Sequence, residues 1–140
     1  MRYLIAVVVL LMCVPAWAER DIDTIIIHHT ASKDVSAYVI DQWHRERGWS
    51  GIGYHYVIRE GGRVETGRDI NKVGAHAKGR NTGSIGIALT GYDDFTEAQK
   101  TSLRMLVKEL RTKYNINSIE RHHEECPGKG INIESIANED

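Results

Sequence analysis

The chain has 140 residues, of which 41% are hydrophobic and 26% are charged. This length suits one folded core, and the composition is close to that of soluble globular proteins, which excludes a disordered chain. The formal net charge is −1, and the basic residues are scattered, so the chain lacks the basic surface of a nucleic-acid-binding protein. We therefore expect a single domain with no nucleic-acid partner.

The first residues have the features of an export signal. Arg2 precedes an apolar run that Pro15 interrupts, and Ala16-Trp17-Ala18 then offers small residues at the two positions that signal peptidase reads. The apolar run is shorter than the ~20 residues of a membrane-spanning helix. We predict a signal peptide at residues 1–18 and a mature domain at residues 19–140. The mature protein should be secreted or periplasmic, without stable membrane insertion.

The predicted signal peptide contains Cys13, so its removal would leave Cys126 as the only cysteine of the exported chain. This thiol would have no disulfide partner within its own chain. In an oxidising compartment, the usual roles of such a thiol are an intermolecular disulfide, a nucleophile or a metal ligand.

The first half of the mature chain predicts a strand, a helix and a hairpin. The β-branched run from Thr24 to Ile27 predicts a buried strand that ends at a pair of histidines. The segment "SAYVIDQWHRER" predicts an amphipathic helix with Asp34 as N-cap and Gly48 as stop signal. The apolar face of this helix should carry Val35, Tyr38, Val39, Gln42 and Trp43. The alternating segment "GYHYVIREGGRVETGR" predicts a hairpin that turns at Gly61-Gly62.

The second half predicts a loop, two strands and two helices. "NKVGAHAKGRNTGS" is rich in glycine and predicts a long surface loop, and "SIGIALTG" predicts a buried strand. A helix should begin after a Thr96 cap and bury Leu103, Leu106, Val107 and Leu110. "NSIE" and "INIESIA" predict a last short strand and a closing helix. This alternation indicates an α/β domain with a central mixed sheet flanked by helices.

Histidine pairs follow the first and last predicted strands, and Cys126 lies four residues beyond His122. Ends of neighbouring strands can meet in space, so His28, His122 and the thiol could converge. Two imidazoles and a thiolate would leave one position of a tetrahedral zinc free for water, as in catalytic sites. Packed histidines and an inert buried cysteine are the alternative, and spacing alone leaves both interpretations open.

Three blocks of the sequence carry a family resemblance: "TIIIHHTAS", "GIGYHYVIREGGRVETGRDINKVGAHAKGRNTGSIGIALTG" and "HHEECPGKG". They resemble the successive blocks of the zinc-dependent N-acetylmuramoyl-L-alanine amidases of the type-2 family. That family includes small phage lysozyme-like amidases and is related to animal peptidoglycan recognition proteins. The resemblance runs from about Thr24 to Lys129. It implies hydrolysis of the amide bond between N-acetylmuramic acid and L-alanine in peptidoglycan, with the muramoyl-peptide as the binding partner.

Position by position, the resemblance implies that His28, His122 and Cys126 are the ligands of a single zinc ion per chain. The second member of each histidine pair, His29 and His123, would then be a packed neighbour and not a ligand.

The resemblance also implies roles outside the ligand set. Tyr54 falls on the family's active-site tyrosine, whose hydroxyl can orient water or hydrogen-bond the oxyanion of a tetrahedral intermediate. His76 and Asn81 fall in the loop that shapes the substrate groove. Either Trp43 or Trp49 could stack on a sugar ring, although Trp43 is better explained as part of the buried helix face.

The sequence departs from the family around the last ligand. Fewer residues than usual separate His122 from Cys126, and an acidic residue stands where relatives often have lysine. Glu124 or Glu125 could act as a general base, and Lys129 or Arg121 could supply the missing positive charge. Simple solvation of these four side chains is equally consistent with the sequence.

Two other functions remain open at the level of sequence. The chain could be a peptidoglycan-binding module without turnover, or a cysteine hydrolase that uses Cys126 with His122 or His28 as base. We expect the protein to be a monomer.

Overall fold

The computed structural model describes residues 19–139. The predicted signal peptide, residues 1–18, lies outside the described residues. Within the described range, no helix combines the length and the apolar character that crossing a bilayer requires.

Five strands and three helices alternate along the chain. The strands are β1 (Thr24–His29), β2 (Tyr56–Ile58), β3 (Val64–Thr66), β4 (Ser84–Leu89) and β5 (Ser118–Arg121). The helices are α1 (Ala37–Glu46), α2 (Glu97–Lys113) and α3 (Ile133–Ala137). Every predicted element is present, and the α/β class with a mixed sheet and flanking helices is confirmed.

The sheet has the strand order β3-β2-β4-β1-β5. β1 is parallel to both of its neighbours, β4 and β5, and β2 is parallel to β4. Only the β2–β3 hairpin is antiparallel. β4 is buried along its whole length, which explains its almost uninterrupted apolar sequence "SIGIAL". Because β1 and β5 run the same way, residues at their carboxyl ends lie side by side.

The sheet is covered on both faces. Alternate isoleucines of β1 and β4 pack against α2 and α3 in the larger core cluster, which includes Leu103, Val107 and Ile136. On the other face, Val57 of β2 packs against Ala37 and Ile40 of α1 in a smaller cluster. Half-buried Trp43 and Tyr54 pack against this smaller cluster. Tyr54 therefore packs on the face of the sheet that α1 covers.

Two details of α1 differ from the prediction. The N-cap is Ser36, whose hydroxyl accepts a hydrogen bond from the Val39 amide, and not Asp34. Asp34 is engaged elsewhere, since its carboxylate accepts from the Arg59 guanidinium and from the Thr90 hydroxyl. The buried face also differs, because the helix starts later than expected. Ala37, Ile40 and His44 are buried, whereas Tyr38 and Gln42 are exposed.

Helix α2 begins with a capping box at Thr96. Its hydroxyl accepts from the Gln99 amide, and the Gln99 side chain accepts from the Thr96 amide. The same hydroxyl donates to the carbonyl of Glu60, which ties the helix to the hairpin.

Replacing this cap should destabilise the fold. We expect Thr96→Ala to lower the free energy of unfolding by about 1–2 kcal/mol, because the Gln99 amide loses its acceptor and the Glu60 carbonyl loses its donor. Urea unfolding followed by circular dichroism measures the change. Thr96→Ser is the matched control and should retain most of the stability, whereas equal losses in the two variants would contradict a capping role.

Candidate active site and metal centre

Two histidines meet at the carboxyl ends of neighbouring parallel strands. Ile27 of β1 pairs with Arg121 of β5, and the amide of His122 donates to the carbonyl of Ile27 at 3.2 Å. This register places His28 and His122 next to each other, with ring centroids 4.5 Å apart. His28 is buried and His122 is half-buried, so the pair lies at the edge of the core.

Cys126 completes a three-residue cluster. A tight turn returns the chain from His123, whose amide and carbonyl both bond to the backbone of Cys126. The Cys126 Sγ lies 4.0 Å from His28 Nδ1, and one donor atom each from His28, His122 and Cys126 lie within 4.8 Å of one another. Ligand atoms of a tetrahedral zinc lie about 3.3–3.6 Å apart, so side-chain shifts of about 1 Å would let these three atoms share an ion. Two nitrogens and one sulfur are also a donor set that zinc prefers.

The protonation states of the cluster follow from its burial. Desolvation lowers the pKa of His28 to about 2, with the neighbouring cations and imidazoles acting in the same direction. It also lowers the pKa of His122. Both rings are therefore neutral and offer a lone pair. Burial raises the pKa of the Cys126 thiol, although the His29 amide donates to the sulfur and opposes this rise. Metal binding would therefore release the thiol proton.

Tyr54 faces this cluster from the segment that leads into β2. Its ring centroid lies 5.1 Å from that of His28. Burial raises the pKa of its phenol to about 12, so the hydroxyl keeps its proton at neutral pH. Within residues 19–139 this hydroxyl has no hydrogen-bond partner, and it remains available as a donor to a ligand.

The end of α1 supplies a cleft wall that the sequence analysis did not identify. The cleft holds about 280 Å³, and its lining includes His28, Tyr54, His44, Arg47 and Trp49. The guanidinium carbon of Arg47 lies 5.9 Å from the centroid of the Trp49 ring. The Gly53 amide donates to His44 Nδ1 at 2.9 Å, which leaves the proton of that ring on Nε2. Helical spacing from buried Ile40 would have indicated His44, but nothing in the sequence marks Arg47 as a cleft residue.

The structure places His76 and Asn81 behind the cluster. His76 is buried, with its Nδ1 2.9 Å from His28 Nε2, so the predicted long surface loop is partly buried at Gly74, His76 and Ala77. The Asn81 side-chain oxygen accepts from the amides of His76 and Ala77. His76 is among the residues that line the cleft, whereas Asn81 is not. The side-chain contacts of Asn81 are structural, and a substrate contact of either residue stays a prediction.

The residues left open by the sequence lie beside the cleft and not in it. Glu124 and Glu125 are exposed and, together with Lys129, line an adjoining groove of about 600 Å³. The Arg121 guanidinium donates to the carbonyls of Glu124 and Ile131. None of these four side chains lines the cleft, where the cation is Arg47.

The second histidine of each pair packs beside the cluster. His29 Nδ1 lies 3.0 Å from the carbonyl of Pro127. The ring of His123 packs at 4.6 Å from that of His122. Both rings line the cleft and also the adjoining groove, so the two depressions are continuous.

An α/β sheet with a His-His-Cys cluster at its carboxyl edge, open to a cleft with a free phenol, defines a candidate metallohydrolase. Comparisons with known proteins give the family. The family model described as N-acetylmuramoyl-L-alanine amidase matches residues 18–129. The endolysin of Escherichia phage T7 is 45% identical over 116 residues, which cover 75% of this chain and 77% of that protein.

Solved structures agree with this match. The N-acetylmuramoyl-L-alanine amidase LysC from Clostridium intestinale URNW superposes with a TM-score of 0.79 at 41% identity, covering 83% of each chain. Drosophila PGRP-LB superposes with a TM-score of 0.72 at 28% identity, covering 86% of this chain and 82% of that one. The chain belongs to the N-acetylmuramoyl-L-alanine amidase family and is therefore a peptidoglycan amidase.

Buried histidines should make the fold sensitive to acid. His55 is fully buried, its Nδ1 accepts from the Gly86 amide, and its Nε2 donates to the Lys72 carbonyl. Desolvation lowers its pKa to about 4, although the bond to the Lys72 carbonyl opposes this. An unfolded histidine titrates near 6.5, so below this pH the unfolded state binds the extra proton.

Stability should therefore fall as the pH drops from about 6.5 to about 4, by up to about 1.4 kcal/mol per pH unit for each such histidine. Urea unfolding of the metal-free protein across this range measures the slope. His55→Gln removes one titrating ring and should give a shallower slope from a lower starting stability. An unchanged slope in that variant would show that His55 does not contribute.

Proposed function

We propose that this protein is a zinc-dependent amidase that hydrolyses the bond between the lactyl carbonyl of N-acetylmuramic acid and the nitrogen of L-alanine. The products are the muramoyl carboxylate and a stem peptide with a free amino terminus. The observation that carries the proposal is the convergence of His28, His122 and Cys126 on one point beside Tyr54. The family membership of the chain supports the same reaction.

In this proposal, His28, His122 and Cys126 hold one zinc ion. When bound, zinc supplies Lewis-acid polarisation of the amide carbonyl and lowers the pKa of a water molecule towards neutrality. The protein contributes two neutral imidazoles and a thiolate, which the His29 amide stabilises through its hydrogen bond to the sulfur. Three ligands are required because a fourth would close the position at which water and substrate meet.

Tyr54 and Arg47 act on the substrate from the facing wall of the cleft. The Tyr54 hydroxyl, protonated at neutral pH, donates to the carbonyl oxygen as negative charge develops on it. Arg47 adds a positive potential to the same wall, in place of the lysine that relatives often have near the zinc. This charge favours an anionic transition state over a neutral amide.

The rest of the substrate lies along the continuous surface. A cleft of about 280 Å³ accommodates the reacting amide and its nearest groups, but not a glycan strand with its peptide. The adjoining groove shares His29 and His123 with the cleft and extends to Glu124 and Lys129. We propose that muramoyl-peptide groups beyond the scissile bond occupy this groove.

A cysteine hydrolase is less well supported by the site. Burial leaves Cys126 4% exposed and raises the pKa of its thiol, which disfavours the free thiolate that such a nucleophile needs. The residue also lies in a turn, and the next helix starts only at Ile133. A helix N-terminus that would stabilise a thiolate is therefore missing at this position in the described part of the chain.

We also propose that the exported domain starts at residue 19 and acts in the cell-wall compartment as a monomer. The apolar N-terminal run and the family match from residue 18 support this boundary. Intact wall, and not a cytosolic fragment of it, would then be the substrate.

Zinc should be necessary for activity. We expect the purified domain to carry a single zinc ion per chain and to release stem peptides from purified sacculi, detected as new L-alanine amino termini. A chelator should abolish release, and added zinc should restore it. Cys126→Ser should lose most of its zinc by elemental analysis, together with its activity, because a hydroxyl is a poor zinc ligand.

Two outcomes would point to the other functions. Activity that survives the chelator and is lost on alkylation would indicate a cysteine hydrolase. No release from sacculi by the fully zinc-loaded domain would indicate a peptidoglycan-binding module.

Removing the Tyr54 hydroxyl should impair the chemical step. We expect Tyr54→Phe to lower kcat about 100-fold or more while zinc content stays at the wild-type level, because one donor to the developing oxyanion is lost. Release of L-alanine amino termini under saturating sacculi measures the change. Tyr56→Phe is the matched control, since Tyr56 packs with the larger core on the opposite face of the sheet. Similar effects of the two substitutions would contradict the assignment.

A further inference from the structure

A chain of hydrogen bonds runs from the metal cluster into the protein interior. His28 Nδ1 faces the Cys126 sulfur, and His28 Nε2 lies 2.9 Å from His76 Nδ1. His76 Nε2 lies 3.2 Å from the Ser84 hydroxyl oxygen. The Ser84 hydroxyl in turn lies 2.6 Å from the carbonyl of Arg80. The chain therefore connects a candidate zinc ligand to a backbone acceptor.

The last bond fixes the direction of all the others. A backbone carbonyl can only accept a hydrogen bond, so the Ser84 hydroxyl donates its proton to the Arg80 carbonyl. The Ser84 oxygen must then accept from His76 Nε2–H. A neutral imidazole has one N–H, so His76 Nδ1 accepts, and His28 Nε2–H is the donor to it. His28 Nδ1 is then left with a lone pair, directed towards Cys126.

Both rings are buried, with 1% of His28 and 9% of His76 exposed, so water has little access to compete for these hydrogen bonds.

The His76 ring lies in a slot made by two glycines. A Cβ atom built at Gly74 or at Gly86 would lie 2.5 Å from an atom of the His76 ring. Asn81 holds the backbone beside this slot, because its side-chain oxygen accepts from the amides of His76 and Ala77. The imidazole is therefore confined by the backbone at two glycines and its main chain is anchored, so its Nδ1 is held towards His28.

We propose that His76 is a positioning residue that selects the tautomer and the orientation of His28 for metal binding, with Ser84 and Asn81 holding His76 in place. The inference rests on the proposed function only for the identity of the metal. A histidine ligand commonly donates its second N–H to an acceptor, and removing such an acceptor typically costs 10–100-fold in metal affinity. His76 thus supplies an imidazole acceptor where a carboxylate or a carbonyl is more usual.

Metal affinity and the spectrum of the cobalt-substituted protein test this proposal without relying on turnover. We expect His76→Phe, which keeps a ring in the slot but offers no acceptor, to bind zinc and Co²⁺ about 10–100-fold more weakly. It should also shift the cobalt absorption bands, since the His28 ring is free to rotate. His76→Asn offers an oxygen acceptor and should recover much of the affinity. Ser84→Ala should give a smaller loss, because His76 can then take either tautomer.

His55→Gln is the matched control, since His55 is another buried histidine near His76 that makes no bond to His28. It should lower stability and leave metal affinity unchanged. Wild-type affinity and spectrum in folded His76→Phe would overturn the proposal. Equal losses of metal affinity in His76→Phe and His76→Asn would also overturn it. A third contrary result is a raised KM in zinc-loaded His76→Asn with unchanged metal affinity, which would assign His76 to substrate binding. If His76→Phe does not fold, His76→Asn and Ser84→Ala still decide between these outcomes.

The result is separable from the proposed reaction. A wild-type protein that releases no stem peptides, but whose cobalt affinity depends on His76 as described, would refute the amidase reaction and leave this inference standing. A chelator-sensitive amidase whose metal affinity does not depend on His76 would support the amidase reaction and refute this inference.

Discussion

The parallel pairing of β1 with β5 is the constraint on which the site depends. One backbone bond, from the His122 amide to the Ile27 carbonyl, fixes which residue of β5 lies beside which residue of β1. A slip of one residue would turn His122 to the opposite face of the sheet and bury it among the isoleucines of the larger core. The alternation of those isoleucines holds the register, so the packing of the core and the geometry of the His-His-Cys cluster are set by the same strand pairing.

Placing polar rings at the edge of a core is costly unless each ring nitrogen has a partner or a ligand. The structure meets this requirement mostly with backbone groups. His44 accepts from the Gly53 amide, His55 accepts from the Gly86 amide, and the chain through His76 ends on the Arg80 carbonyl. Close approach of backbone to imidazole requires residues without Cβ atoms. Gly74 and Gly86 are explained by this need.

Sequence patterns were sufficient for the elements and for the residues of the His-His-Cys cluster, but not for the network around it. The strands and helices follow from local apolar periodicity, and the family resemblance indicated His28, His122 and Cys126. The burial of His76 could not be read locally, since its segment has no periodicity and one side of its slot is made by Gly86, ten residues away on β4. Similarly, the sequence favoured Asp34 as N-cap, but its carboxylate forms an ion pair with Arg59, 25 residues away in the chain. In both cases, a contact with a residue distant in the sequence determined the outcome.

The same reasoning explains how the turn before Cys126 can be short and acidic. Because β5 already places His122, the following segment has only to return the chain, and the paired bonds between His123 and Cys126 do so in a four-residue turn. Glu124 and Glu125 lie at its exposed tip, where their charges are solvated and outside the cleft. In the proposed reaction, a cation near the reacting carbonyl would have to come from another element. Arg47, at the end of α1, lines the cleft, so it could offset a change in the turn without any change in the three candidate ligands.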